Sequence, residues 1–424
     1  MQKCFDKELF RKIIVDIMIV FLFAIGSQIP IWGINREYLA SWLSSDVLNG
    51  IDIYNLISGG AFKSMSFFAL GISPYITASI IIQLLTILIP RLEELRKQSE
   101  EKMEKWTYVI AVVFTLIQAA LTTYYFLVTG LLANQTLGNV VLVFGELCIG
   151  TLIVIAMGKF VDKHGICKGM SLILLTNIVS TLPGSFKNLY IAFVPNKTTP
   201  IIWSLVVTTS VVILFVVVIS LQNGEKRIPI QHAGQTRTNH KINYLPIKLN
   251  LSNVMPVIFT SSIFQVILLI SNFVDNATLD YVAKFFNMGN WFDLENPIFM
   301  LGIIPYFILI VSFAYFYSAF SFDPEQISDN LKKQNIVIVG VRPGVLTMEY
   351  LQRQLKGFIF LGALMLTLVI LIPTAIIQFL NVSNFTLIGT SMFILSSISI
   401  DLFREIETEI IAKKGVDLMG FGRI

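Results

Sequence analysis

The sequence has few of the residues on which soluble enzymes and disulfide-linked secreted domains depend. Only 14% of its 424 residues are charged, and it has three cysteines and three histidines. The cysteines, Cys4, Cys148 and Cys167, lie far apart and form no CxxC pair, so we expect neither a disulfide framework nor a metal site. The net charge of +4 is too small to indicate direct nucleic-acid readout.

Catalytic motifs are also missing from the sequence. "GKF" at 158–160 lacks the Ser/Thr and the spacing of a Walker A motif, and the isolated His164, His232 and His240 form no HExxH. No constellation of a nucleophile with a base stands out in the sequence. We therefore expect no enzyme and no cofactor.

Long apolar runs dominate what is present. Hydrophobic residues make up 55% of the chain, more than a soluble domain of this length can bury, which indicates a polytopic helical membrane protein. Ten runs have about the length of a span. They are 13–33, 72–90, 106–128, 138–158, 168–183, 200–221, 252–272, 297–320, 357–379 and 385–401.

The basic residues predict how the chain is oriented. With the N-terminus in the cytoplasm, 26 of the 31 Lys and Arg residues fall in cytoplasmic segments. Positively charged loops face the cytoplasm, so we expect a multi-pass membrane protein with both termini inside. The apolar run after the charged N-terminus has no small-residue cleavage site, so it is expected to stay as the first span.

Ten spans divide into five and five near residue 193. An odd number of spans per half makes the halves face opposite ways, so we expect inverted five-helix halves, 1–193 and 194–424. Two cytoplasmic loops, 222–251 and 321–356, are long for a compact bundle and mix basic, turn-forming and short apolar stretches. This pattern favours ordered hairpins that dock a partner over floppy linkers.

The stretch from Ser58 to Leu85 does not have the pattern of an ordinary span. An amphipathic segment with Lys63 breaks at Gly71 and Pro74 and is followed by an apolar helix with a polar seam. A broken helix at membrane depth is tolerated only where it is buried in protein or lines a water-filled cavity. Glu146 is the one carboxylate well inside a predicted span. We expect it to serve either as a structural or subunit contact or as part of a proton relay.

Several long motifs carry a resemblance along most of the chain. They are the 58–85 stretch, "IPRLEELRKQSEEKMEKWTY" (89–108), "EKRIPIQ" (225–231), "LPIKLNLSNVMPVIFTSS" (245–262), "FDPEQISDNLKKQ" (322–334), "GVRPGVLTMEYLQRQL" (340–355) and "IGTSMFILSSISID" (388–401). In this order they resemble the SecY family, the central subunit of the protein-conducting channel. The fold expected is then an all-α polytopic membrane protein, with ten transmembrane helices in two inverted five-helix halves and a short plug half-helix.

The resemblance implies a pore with an apolar constriction ring and a plug over about 57–70. The ring positions are Ile72, Ile76, Met170, Leu174, Ile258 and Ile394. An apolar ring resists wetting, so it blocks ions while its side chains yield to a passing chain. The plug positions are Ser58, Gly59, Gly60, Ala61, Phe62, Lys63, Ser64, Met65 and Phe67.

The resemblance also implies a lateral gate and docking loops. Thr77 and Gln118 match polar gate residues, although ordinary helix–helix hydrogen bonding would account for them equally well. Positions matching contacts to the SecA motor ATPase or the ribosome are Arg227, Arg342, Pro343 and Gly344. Other expected partners are the small subunits SecE and SecG, a bacterial plasma membrane, and an unfolded preprotein with a signal sequence.

Three functions follow as hypotheses. The first is a channel that passes unfolded polypeptides outward and releases apolar segments sideways into lipid. The second is an accessory SecY-type channel with a narrow substrate set, because the "HAGQTRTNH" stretch (232–240) has fewer basic residues than the family commonly shows there. The third is a small-solute secondary transporter, which also uses broken helices but needs polar groups at the midplane.

Overall fold

The computed structural model describes residues 2–35, 65–89, 91–92, 95, 99–193, 200–232, 243–273, 277–292, 296–379 and 388–414. This part of the chain is predominantly helical. Its N-terminal part contains the helices α1 (Gln2–Gly26), α2 (Ser73–Leu88), α3 (Glu100–Val128), α4 (Leu137–His164), α5 (Gly169–Phe193) and α6 (Pro200–Asn223).

The C-terminal part begins with two strands and continues with helices of very different lengths. In chain order it contains β1 (Glu225–His232), β2 (Asn243–Lys248), α7 (Met255–Phe273), α8 (Ala277–Phe286), the 3₁₀ turns Met288–Asn290 and Pro297–Gly302, α9 (Ile303–Ser321), α10 (Pro324–Lys333), β3 (Ile336–Ile338), α11 (Val345–Phe379) and α12 (Ile388–Lys414). Every apolar run predicted as a span overlaps one of the helices.

Four helical segments of the described chain are long and apolar enough to cross a membrane. They are Lys102–Val128, Leu137–His164, Pro297–Lys333 and Val345–Ile376. Three shorter apolar helices are Ser73–Thr86, Gly169–Thr181 and Met255–Leu268. The helices therefore agree with a multi-pass membrane protein, while the count of ten spans stays a prediction.

Several helices differ in their bounds from the predicted runs; α5 ends at Phe193 and α12 at Lys414, beyond the runs 168–183 and 385–401. The first run was placed at 13–33, but α1 ends at Gly26, because Pro30 has no backbone N–H and disfavours helix at the residue before it. The ninth run was expected to begin at 357, but α11 begins at Val345. Its first turns are helical because Leu351 and Leu355, four residues apart, bury one face in a core shared with β1, β2 and β3.

The chain divides into two compact units. The first comprises Met1–Ile191, Leu268–Asp275 and Ile398–Ile424, and the second comprises Ala192–Ile267 and Asn276–Ser397. In the first unit, buried side chains from the turns around residues 31, 65–70 and 131–132 form one core with α3 and α4. In the second unit, Trp291 and Tyr306 are fully buried with ring centroids 5.1 Å apart, next to the edge-on ring of Phe264.

The second unit contains a small sheet that the all-α prediction missed. Its strand order is β2-β1-β3, and all neighbours are antiparallel. The loop 222–251 supplies β1 and β2 as a hairpin, as predicted, and the loop 321–356 supplies α10 and β3. Ile228, Ile247 and Ile338 are buried and pack with α10 and α11, so the two loops form one folded body.

Candidate functional site

The predicted plug lies mostly outside the described residues. Those positions are Ser58, Gly59, Gly60, Ala61, Phe62, Lys63 and Ser64. The structure describes Met65 and Phe67, which belong to a run of turns rather than to a helix. Met65 has a φ of +44°, a conformation that a side-chain-bearing residue rarely adopts. The chain therefore changes direction sharply at this point.

Residues 65–72, called here the joint segment, are fixed in the core of the first unit. The Ile31 N–H donates to the Met65 carbonyl at 2.9 Å, and the Phe67 N–H donates to the Ile29 carbonyl at 2.7 Å. Met65, Ala69 and Leu70 are all at most 1% exposed. Paired backbone groups and apolar burial hold a segment firmly, so the joint segment is part of the rigid frame.

Two glycines make this packing possible. A Cβ on Gly150 of α4 would collide with the backbone carbonyl of Phe67, and one on Gly26 would collide with the ring of Phe68. The Phe68 ring also stacks on Phe23 with centroids 5.4 Å apart. The joint segment thus lies directly on the surfaces of α1 and α4. Gly71 then turns the chain into α2 with a φ of +51°, at the break predicted from the sequence.

Glu146 binds a backbone amide next to this segment. Its carboxylate accepts the Trp32 N–H at 2.9 Å. On the same helix, the Asn139 side-chain amide donates to the Gly33 carbonyl at 2.9 Å. Residues 29–35 are therefore held by α4 on one side and by the joint segment on the other. Of the two roles considered for Glu146, the structure shows a structural contact, with a backbone hydrogen bond as its means.

Five of the six predicted ring residues lie on four helices, and the sixth, Ile72, immediately precedes one of them. In the first unit, Ile72 immediately precedes α2 and its carbonyl accepts the Ile76 N–H at 3.1 Å, so this pair shares one face. Met170 and Leu174 are one turn apart near the start of α5. In the second unit, Ile258 is in α7 and Ile394 is in α12. All except Ile76 and Met170 are buried, and those two are half-buried.

The two predicted gate residues are in contact. The Gln118 side-chain amide on α3 donates to the Thr77 hydroxyl on α2 at 3.3 Å. The same hydroxyl donates to the Ser73 carbonyl one turn earlier at 3.0 Å. Next to this pair in sequence, Ala78 of α2 packs with Ala111 of α3 and Ile155 of α4 in one buried apolar cluster. A long hydrogen bond between two half-buried side chains is weak, so this contact can be broken at small cost.

The predicted docking residues lie in the folded body of the two loops. Arg227 is exposed on β1 and forms a 2.7 Å ion pair with Glu225. Arg342 is exposed beyond β3, and its carbonyl accepts the Thr347 hydroxyl at 2.9 Å. Gly344 has a φ of +98°, and its carbonyl accepts the Ser328 hydroxyl at 2.9 Å. With Pro343 between them, Arg342 and Gly344 form an ordered tip that ends where α11 begins.

Sequence reasoning missed a group of carboxylates around the turn between α4 and α5. Asp16, Asp162 and Glu405 each accept a backbone N–H from this turn. Burial and the nearby Asp16 carboxylate raise the pKa of the Cys167 thiol to about 12. The glycines in "GICKG" (165–169) were the available sequence signal. Among the described residues, no group of His, Cys, Asp and Glu is placed to hold a metal ion.

Comparisons with known proteins agree along nearly the whole chain. The SecY family model matches residues 66–403. The chain is 35% identical over 415 residues to a protein translocase subunit SecY from Guillardia theta, covering 96% of both proteins. It is 31% identical over 430 residues to the protein of the same name from Corynebacterium glutamicum, again covering 96% of both.

Solved structures with the same fold are protein-conducting channels. One superposes with a TM-score of 0.71 at 18% identity, covering 97% of this chain and 95% of the other. A second, described for a SecY plug domain that stabilises the closed channel, gives a TM-score of 0.70 at 18% identity with the same coverage. Sec61 in a canine ribosome–channel complex gives 0.69 at 17% identity.

Proposed function

The chain belongs to the SecY family, and we propose that it is the central subunit of a channel that passes unfolded polypeptides across a membrane. The observation that carries this function is the match to translocase subunits over 96% of the chain. A channel subunit is not an enzyme, in agreement with the absence of catalytic motifs from the sequence. The family match also displaces the small-solute transporter, whose polar midplane the apolar ring positions do not supply.

The proposed architecture has ten spans in two inverted halves, 1–193 and 194–424. Support comes from the four long and three shorter apolar helices and from the overlap of every predicted run with a helix. The orientation, with both termini in the cytoplasm, follows from the 26 basic residues placed inside. We place the protein in the plasma membrane of a bacterium.

The seal of the proposed closed channel is the apolar ring. None of its six side chains can replace the water around an ion, so a narrow ring of them dewets and blocks conduction. Flexible Met170 leaves room for a passing polypeptide without leaving a polar gap. We propose that the plug over about 57–70 closes the outer side, with residues 65–70 as its fixed part, because the joint segment is bonded to residues 29–31.

The proposed lateral gate is the pair of helices α2 and α3. The Thr77–Gln118 hydrogen bond at 3.3 Å would stabilise the closed gate by about 0.6 kcal/mol, the average for such bonds between membrane helices. A signal sequence that packs between the helices can displace a contact of that size. Segments of about 20 apolar residues then partition into lipid as they reach the open gate.

The proposed partners act from the cytoplasm and from the sides. SecE and SecG would support the two halves, and SecA or a ribosome would dock on the folded body of the two loops. The exposed Arg342 on its ordered tip is the main candidate contact. Arg227 forms an ion pair with Glu225, so a partner that binds its guanidinium would compete with that carboxylate.

A narrow substrate set remains the second candidate. It rests on the low basic content of residues 232–240, which would weaken contacts to a general partner. Production of this chain in cells depleted of their main channel distinguishes the two candidates. Restored growth supports general export, and failure to restore growth by a well-expressed chain supports the accessory role.

Reconstitution tests the proposed function. The purified chain with SecE and SecG is placed in liposomes with SecA, ATP and a signal-bearing preprotein. We expect the preprotein to become protease-protected only when ATP is present. A matched preprotein without its signal sequence is the control. Absence of ATP-dependent protection by a folded complex would contradict the proposal.

A further inference from the structure

The turn between α4 and α5 is bound by carboxylates from three helices. The Gly169 N–H donates to Asp162 of α4 at 2.7 Å, and the Lys168 N–H donates to Glu405 of α12 at 3.1 Å. The Ile166 N–H donates to Asp16 of α1 at 3.2 Å. The first N–H groups of a helix have no partner inside it, and their positive end attracts anions. Asp162 satisfies the first of these groups, the Gly169 N–H, and the other two carboxylates satisfy N–H groups of the turn just before α5.

Close backbone contact also fixes this end of α5. A Cβ on Gly169 would collide with the Gly158 carbonyl of α4, and one on Gly165 would collide with the Asp16 carboxylate. The Met170 thioether lies over Gly158, where a Cβ would be only 2.7 Å from its sulfur. A shift at the turn would therefore displace Met170 directly.

Asp162 connects the turn to α3 as well. The Tyr108 hydroxyl lies 3.1 Å from Glu104 and 3.5 Å from Asp162, within hydrogen-bond distance of each. Lys159 lies over the Tyr108 ring, 4.8 Å from its centre. Asp162 thus contacts α5 on one side and α3, which carries Gln118, on the other.

Glu405 holds the turn through the backbone rather than through a charge pair. The Lys168 ammonium is 3.8 Å from the Glu405 carboxylate, and the Lys168 side chain is 79% exposed. An exposed ion pair of that length contributes little. The backbone bond at 3.1 Å is the stronger link.

From these contacts we propose that Glu405 and Asp162 are positioning residues for the channel seal. They fix the α4–α5 turn, and the turn fixes Met170 and, one helical turn later, Leu174. This proposal rests on the proposed function, since it assigns the two side chains to the ring.

Ion leak through the closed channel tests the proposal. Liposomes hold the chain with SecE and SecG, without SecA, and release of a trapped ion is followed. Removal of a hydrogen bond to a charged group shifts an equilibrium by about tenfold or more. We therefore expect the variant Glu405→Ala to leak about tenfold faster than wild type. Asp162→Ala is expected to act in the same direction, and Glu405→Gln, which keeps an acceptor oxygen, to leak less than Glu405→Ala.

Two control variants separate positioning from general damage. Lys168→Met removes the ion pair and keeps the backbone N–H, so its leak should match that of wild type. Glu407→Gln removes one charge from the same helix, two residues away, and should also match wild type. If Glu405→Ala does not fold, the leak rate of the Glu405→Gln variant is compared with that of wild type to test the positioning role of Glu405.

The possible outcomes distinguish this proposal from the proposed function. Wild-type and Glu405→Ala channels that seal equally well, while wild type transports preprotein, would overturn the positioning role alone. Equal leak in Lys168→Met and Glu405→Ala would overturn the backbone mechanism. A wild-type complex that neither transports preprotein nor holds an ion gradient would overturn the proposed function and the positioning role with it.

Discussion

Two glycines of α4 provide a matched test of how the joint segment is held. Gly145 and Gly150 are on the same helix, and a Cβ on Gly145 would meet open space. A Cβ on Gly150 would collide with the Phe67 carbonyl. The substitutions Gly145→Ala and Gly150→Ala therefore differ only in what the added methyl group contacts.

The expected free energies have opposite signs. Alanine favours a helix over glycine by about 1 kcal/mol, so Gly145→Ala should stabilise the protein by roughly that amount. Gly150→Ala gains the same helix term but forces the joint segment away. It then loses the 2.7 Å bond from Phe67 to Ile29, worth about 1 kcal/mol, and overpacks a buried contact at a cost of about 1–3 kcal/mol. The net expectation is a destabilisation of about 1–3 kcal/mol.

Thermal unfolding of the purified complex in detergent measures the difference. We expect a higher midpoint for Gly145→Ala and a lower one for Gly150→Ala, together with a faster closed-state ion leak in the latter alone. Equal midpoints for the two variants would refute the packing of Phe67 on Gly150. A lower midpoint with an unchanged leak would show that the joint segment does not support the seal.

Three further predictions concern single contacts. For the gate, Gln118→Leu and Thr77→Val should each increase transport of a preprotein with a weakened signal by about threefold, and the double variant should add little, because both remove one bond of about 0.6 kcal/mol; additive effects would contradict a shared bond. Glu146→Ala should speed hydrogen exchange of the Trp32 amide by about tenfold, since a bond to a carboxylate is lost, and an unchanged rate would contradict the contact. The pKa of the Cys167 thiol is raised from an ordinary value of 9.0 to about 12, so between these pH values the thiol stays protonated in the folded protein and ionises in the unfolded one. The free energy of unfolding should therefore fall as the pH rises from 9 to 12, and maleimide labelling of Cys167 should stay slow until the pH approaches 12. Fast labelling at pH 9 would contradict the burial of Cys167.

The sequence pattern was sufficient to place the helices. Apolar runs of span length are long and distinct, so each predicted run overlaps an observed helix. The break before α2 was also predictable, because Gly71 and Pro74 together interrupt an apolar stretch and Gly71 adopts a positive φ. The helix boundary next to the loop 321–356 was not predictable. The start of α11 at Val345 depends on burial of Leu351 and Leu355 against strands that are distant in sequence.

The sheet and the carboxylate group could not be predicted, because each brings together residues that are distant in sequence. β1 pairs with β3 although about a hundred residues separate them, and a three-residue strand has too short a pattern to be recognised. Asp16, Asp162 and Glu405 come from three helices, and each accepts a bond from a backbone N–H. Backbone donors are present at every residue, so no pattern of side chains in the sequence marks them as a group.

Cross-linking from Ile76 tests most simply whether the proposed ring lines the path of the preprotein. A photoreactive amino acid replaces Ile76 in the reconstituted complex, and a preprotein is stalled during transport by a bulky C-terminal domain. A second variant carries the same group at Val113 of α3, which is 49% exposed on the apolar surface. We expect cross-links to the preprotein from position 76 and to lipid from position 113. Cross-links to lipid alone from position 76, in a complex that transports preprotein, would contradict this expectation.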